Sequence, residues 1–88
     1  MQPNDLPKPP ARWLRADGST VACTESLKVL AENWLEAAEL LQSMYEDAVL
    51  LGVAKSEYKK ALHAMVDALD CPYEELTAPP EKTGAPRC

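Results

Sequence analysis

Between residues 11 and 71 the chain contains no proline, although it has eight in all. Proline breaks helix interiors because it lacks a backbone donor and clashes with the preceding turn, so the eight positions bracket an uninterrupted central stretch. No apolar run approaches the roughly 18 residues that a membrane span needs. There is no excess of basic residues: Lys plus Arg is 9, Asp plus Glu is 14, the net charge is −5 and the pI is about 4.7. That balance argues against nucleic-acid binding through a phosphate-neutralising surface. Phosphate loop, dinucleotide fingerprint and zinc-finger spacing are all missing. The N-terminal ten residues have no apolar core, which reads as no secretory signal. With 88 residues there is room for one small domain, and 47% hydrophobic with 26% charged residues is a globular composition.

The three cysteines, Cys23, Cys71 and Cys88, are odd in number and irregular in spacing, with no C-x-x-C. This does not resemble a disulfide framework, and the expectation is a reduced, cytoplasmic protein. Cys88 has no residues after it, so the C-terminal prenylation pattern is not met.

The strongest positive signal is helical. Leu27, Leu30, Trp34, Ala37, Leu41, Met44, Ala48 and Leu51 alternate spacings of three and four, the heptad seam of a packed helix. Thr24 reads as its N-cap, Glu25 suits the first turn, and Gly52 stands just past the end. The pattern predicts a helix over about 25–51, roughly 40 Å long. A shorter helix is predicted over about 55–70, with Tyr58, Ala61, Leu62, Met65, Ala68 and Leu69 on its apolar face. The short link makes the pair an antiparallel hairpin. Asp17-Gly18 is a tight-turn signal, so residues 12–23 form a short turn or hairpin leaning on the helices. Residues 1–10 and 77–88, rich in proline and without periodicity, are expected to be mobile tails around a single helical domain at 11–76.

The apolar arc of the long helix is too broad for one neighbour. Ala31, Ala38 and Tyr45, together with Leu35 and Val49, widen the seam. A 16-residue helix, about 24 Å, does not cover 40 Å of it. The expectation is an all-α homodimer in which two hairpins make a four-helix bundle, with Leu27, Leu30, Trp34, Leu41, Met44, Tyr45 and Leu51 at the interface. A monomer lidded by residues 12–23 and 72–76 is the other arrangement the pattern allows. Glu25, Glu32, Glu39 and Glu46 form an acidic ridge on the opposite side, a solvated face or a docking surface for a basic protein partner.

Chemistry-bearing constellations are few. His63 is the only histidine and lies on the polar side of the second helix, four residues before Asp67, the spacing of an ordinary surface pair. No Glu-x-x-His pair faces the core, and Glu36 with Glu39 points away from the seam, so no metal and no cofactor are expected. Cys23 is the sharpest candidate. It stands next to the start of a helix, where the dipole favours a thiolate, with Arg12 and Arg15 close in sequence; it also fits a small apolar residue beneath the loop. Pro7-Lys8-Pro9-Pro10-Ala11-Arg12 matches P-x-x-P-x-Arg, a polyproline-ligand pattern that proline-rich arms also produce.

The stretch Ala16-Asp17-Gly18-Ser19-Thr20-Val21-Ala22-Cys23-Thr24-Glu25, followed by Lys28-Val29-Leu30-Ala31-Glu32-Asn33, resembles a group of small uncharacterised bacterial helical proteins. The likeness continues through Glu46-Asp47-Ala48-Val49-Leu50 and Ala61-Leu62-His63-Ala64 to Leu69. It implies a small all-α domain and carries over no functional residue. The resulting expectation is a non-catalytic helical interaction or regulatory protein acting as a homodimer, without nucleic acid or membrane. The alternatives are a thiol-dependent enzyme or redox sensor using Cys23, and a bundle that binds a small molecule.

Overall fold

Twenty-seven residues without a proline or an internal glycine form the first helix, α1, Thr24–Leu50. The structure, a computed structural model, describes residues 6–78. Leucine, glutamate and alanine make up 15 of the 27 residues of α1, and these good helix formers lose little rotamer freedom in a helix. Its N-cap is Cys23, without a side-chain cap bond, and Thr24 is already helical. The predicted threonine cap is therefore displaced by one residue. The Cys23 carbonyl accepts from Leu27 N at 2.9 Å and opens the helical ladder without the threonine hydroxyl.

The end of α1 is a complete Schellman motif. Leu51 is the C-cap, Gly52 N–H donates to the Val49 carbonyl at 3.0 Å, and Val53 N–H donates to the Ala48 carbonyl at 2.9 Å. That reversal requires a positive φ, which Gly52 supplies at 105°. Ala48 lies beneath this turn and is the one buried residue of the described core, 7% exposed.

The second helix, α2, is Lys55–Asp67. It stops three residues before the predicted boundary. Ala68 and Leu69 close with short-range bonds to Met65 and Val66, and the Asp70 carboxylate takes the Cys71 N–H at 2.8 Å. Pro72 then disfavours helical backbone at Cys71. α1 and α2 pack against each other. Tyr45 and Tyr58 stack with centroids 6.2 Å apart, and Lys59 Nζ sits 5.4 Å from the Tyr45 centroid. The two tyrosines are nearly equidistant from Gly52, as an antiparallel hairpin requires.

Ahead of α1, residues 13–21 form a small hairpin. Leu14 and Thr20 pair as an antiparallel bridge, and Val21 N–H donates to the Trp13 carbonyl at 2.8 Å. Gly18 N–H donates to Arg15 O at 2.9 Å, Arg15 N–H to Ser19 O at 2.7 Å, and Gly18 has φ 88°. This is a three-residue loop, a turn followed by a left-handed glycine. There is no strand among the described residues beyond this bridge.

The hairpin leans on α1 through an edge-to-face pair, Trp13 on Trp34, with centroids 6.0 Å apart. Of the segments read as tails, residues 6–10 and 77–78 are described, and each makes a bond. Trp34 Nε1–H donates to the Pro7 carbonyl at 2.8 Å, and Ala78 N–H donates to Asp17 Oδ2 at 2.9 Å. Residues 1–5 and 79–88 lie outside the described residues.

The molecule is elongated, with extents of 58 × 29 × 17 Å. No large side chain is fully buried among the described residues.

Candidate functional site

The seam residues expected at a dimer interface divide into two groups. Trp34 is engaged within its own chain by Trp13 and the Pro7 carbonyl, and Tyr45 by Tyr58 and Lys59. Leu30 and Met44 are half-buried. These four therefore serve intramolecular packing, which sequence periodicity does not separate from contact with another chain. Leu27 and Leu41 remain on the exposed side of the boundary, and Leu51, at the C-cap, is 85% exposed. Its neighbour Leu50 is 84% exposed, so the turn between the helices ends in two solvent-facing leucines. Along α2 and just past its end, exposure rises on the apolar face. Tyr58 and Leu62 are half-buried, Met65 is 50% exposed and Leu69 is 74%. The two helices meet near the turn, and the far half of their shared apolar surface is left uncovered.

The acidic ridge is solvent-facing throughout: Glu25, Glu32, Glu39 and Glu46 are all exposed. Glu46 accepts from Gln42 Nε2 at 2.8 Å, an i, i+4 bond along the helix surface. Gln42, Tyr45, Glu46, Val49, Leu50 and Lys55 line a shallow open depression on this side of the hairpin. A second depression joins the N-terminal hairpin, α1 and the C-terminal segment, lined by Leu14, Arg15, Ala16, Val21, Ser26, Glu75 and Leu76. Residues 7–12, the P-x-x-P-x-Arg stretch, are exposed.

Cys23 is disulfide-bonded, so the expectation of three reduced thiols does not hold there. A disulfide sulfur has no thiolate to offer, and in this state Cys23 is a cross-link rather than a nucleophile. Cys71 is a free, exposed thiol. His63 is exposed on α2. No cluster of three or more His, Cys, Asp and Glu residues suited to a metal ion forms among the described residues.

Among the described residues the one strongly perturbed acid is Asp17. Its carboxyl is lowered to about 2, first by the Ala78 N–H and then by the Ser19 hydroxyl and N–H, at 2.6 and 3.0 Å to Oδ1. Hydrogen bonds to the ionised form favour it. Arg15 completes the loop, donating from Nη1 to the Thr20 carbonyl at 2.8 Å and to Ser19 Oγ at 3.3 Å. Asp17 was legible only as a turn residue. Its second role, holding a backbone amide 61 residues away, has no local sequence signature.

No helix among the described residues is long and apolar enough to cross a membrane. No family model, curated protein or solved structure matches this chain.

Proposed function

We propose that this protein is a non-catalytic helical interaction module that acts as a homodimer. The observation that supports the reading is the mismatch between its apolar content and its burial. Among the described residues fourteen large hydrophobic side chains are exposed, and the core holds one buried residue, Ala48. Burying a large apolar side chain is worth about 1.5–3 kcal/mol, so a chain that leaves most of them in water has not reached its most stable arrangement alone. Contiguous apolar surface on a small protein marks a contact site. A twofold contact between identical hairpins is the simplest assembly that covers it, and it yields a four-helix bundle.

Light scattering across a concentration series tests it. The expected mass at high micromolar concentration is twice the 9.7 kDa of one chain. A well-folded species of 9.7 kDa at every concentration overturns the proposal.

A further inference from the structure

We propose that Cys23 is cross-linked to Cys88 of the same chain, and that thiol–disulfide exchange at this pair fastens the C-terminal segment to the N-terminal hairpin. The proposal does not rest on self-association. Cys23 is disulfide-bonded, and Cys71 is a free, exposed thiol. The sequence holds three cysteines, so the partner that remains within one chain is Cys88, which lies outside the described residues.

The described part of the C-terminal segment points the same way. Its path from the end of α2 leads back to the hairpin, where the Ala78 N–H donates to Asp17 Oδ2 at 2.9 Å. Just before it, Glu75 and Leu76 share a depression with Leu14, Arg15 and Val21 of the hairpin. Asp17 and Cys23 are six residues apart, at most about 20 Å, and the ten residues from Ala78 to Cys88 reach up to about 33 Å. The chain beyond Ala78 is therefore long enough to bring Cys88 to Cys23.

The segment has little hold of its own. Residues 69–78 are exposed throughout and belong to neither helix. Ordering ten such residues costs far more than one exposed hydrogen bond returns. A cross-link removes the open alternatives and keeps the Ala78 amide near Asp17 at a high effective concentration. The fold delivers the segment to the hairpin, and the cross-link keeps it there.

A small disulfide such as oxidised glutathione balances the exchange. The thiolate of one cysteine attacks it, forms a mixed disulfide and expels one glutathione thiolate. The thiolate of the other cysteine then attacks the protein sulfur, forms the Cys23–Cys88 bond and expels the second glutathione. Two protein thiols are oxidised, one glutathione disulfide is reduced, and the two protons end on the glutathione thiols. Excess reduced thiol runs the exchange backward and frees the segment.

The test uses the full chain, equilibrated with oxidised and reduced glutathione, quenched with acid and cut after glutamate at low pH. Cuts at Glu25, Glu57, Glu74 and Glu81 place the three cysteines on separate peptides, residues 1–25, 58–74 and 82–88. Mass spectrometry of the unreduced digest is expected to show 1–25 joined to 82–88, from a protein of 9.7 kDa when denatured without reductant. A link from Cys23 to Cys71, to glutathione alone or to a second chain overturns the pairing, as does a Cys23 that stays a thiol. The second readout is the Asp17 carboxyl, followed by NMR. In the cross-linked chain it is expected to titrate near 2. With dithiothreitol, or in Cys88→Ser, the Ala78 bond is expected to be lost and the midpoint to rise, remaining below 3.8 because Ser19 still donates. Cys71→Ser is expected to change neither readout, and helical circular dichroism is expected to stay the same throughout. A midpoint that stays near 2 after reduction, or helices that melt with it, overturns the fastening role.

Discussion

Replacing Gly52 with alanine isolates the backbone requirement of the interhelical turn. Gly52 has φ 105°, and a Cβ added there meets nothing within 4 Å, so the substitution introduces no steric collision with a neighbour. What remains is the conformational cost of an L-residue with positive φ, about 1–3 kcal/mol. Alanine also restricts the unfolded chain, which offsets about 0.4–1 kcal/mol of that cost. The net expected loss is about 1–2 kcal/mol, a fall of roughly 4–15 °C in melting temperature for a domain of this size. Thermal melts at a fixed protein concentration, followed by helical circular dichroism, read it out. Gly18→Ala is the matched control. It has φ 88° and an equally open surrounding, but it sits in the N-terminal hairpin, so helix melting should move less. A neutral or stabilised Gly52→Ala chain would refute the reasoning, since the Schellman motif would then not be what ends α1.

Three further outcomes follow from the same contacts. Trp34→Phe keeps a ring against Trp13 but removes the N–H that reaches Pro7, and it should cost about 0.5–1.5 kcal/mol by denaturant titration; removing residues 1–10 should cost a similar amount, and no loss in either would mean the contact contributes nothing. Tyr58→Ala removes the stacking partner of Tyr45 and should destabilise the hairpin by about 1–3 kcal/mol, with the loss concentrated in α2 amide protection. Because the Asp17 carboxyl is depressed in the folded chain, its contribution is fully present above the unfolded value near 3.8 and is lost as pH falls through about 2. The Ala78 amide resonance should therefore move with a midpoint near 2, and Asp17→Asn should abolish that titration; a midpoint near 4 would mean that the carboxylate does not hold the amide.

The helices were legible because their signals are local. The three-and-four spacing of α1 and the glycine after Leu51 act over a few residues, and Asp17-Gly18 does the same for the hairpin. The end of α2 was less legible, because the periodicity continues to Leu69 while the backbone is claimed by Asp70 and Pro72. The partners of the seam residues were not legible. A tryptophan at a heptad position looks the same whether it meets Trp13 of its own chain or a second copy, and only the folded chain divides Trp34 and Tyr45 from Leu27, Leu41 and Leu51. The state of Cys23 was hidden for a related reason: spacing along the chain does not say which sulfur lies nearby. The bond from Ala78 to Asp17 spans 61 residues and left no pattern to read.

The link between α1 and α2, Leu51 to Ala54, also sets an order of events in time. Tyr45 and Tyr58 are 13 residues apart, and a loop of about ten residues closes in roughly 10–100 ns, faster than a helix of this length relaxes. The hairpin therefore assembles from contacts between near neighbours, the regime of microsecond to millisecond folding. The Ala78 amide reaches Asp17 only after α1 and α2 have brought the chain back past its own beginning. An interaction made that late is absent from the transition state, so losing the Ala78 bond alone, with the Ser19 bonds of the turn kept, should speed unfolding and leave the folding rate untouched.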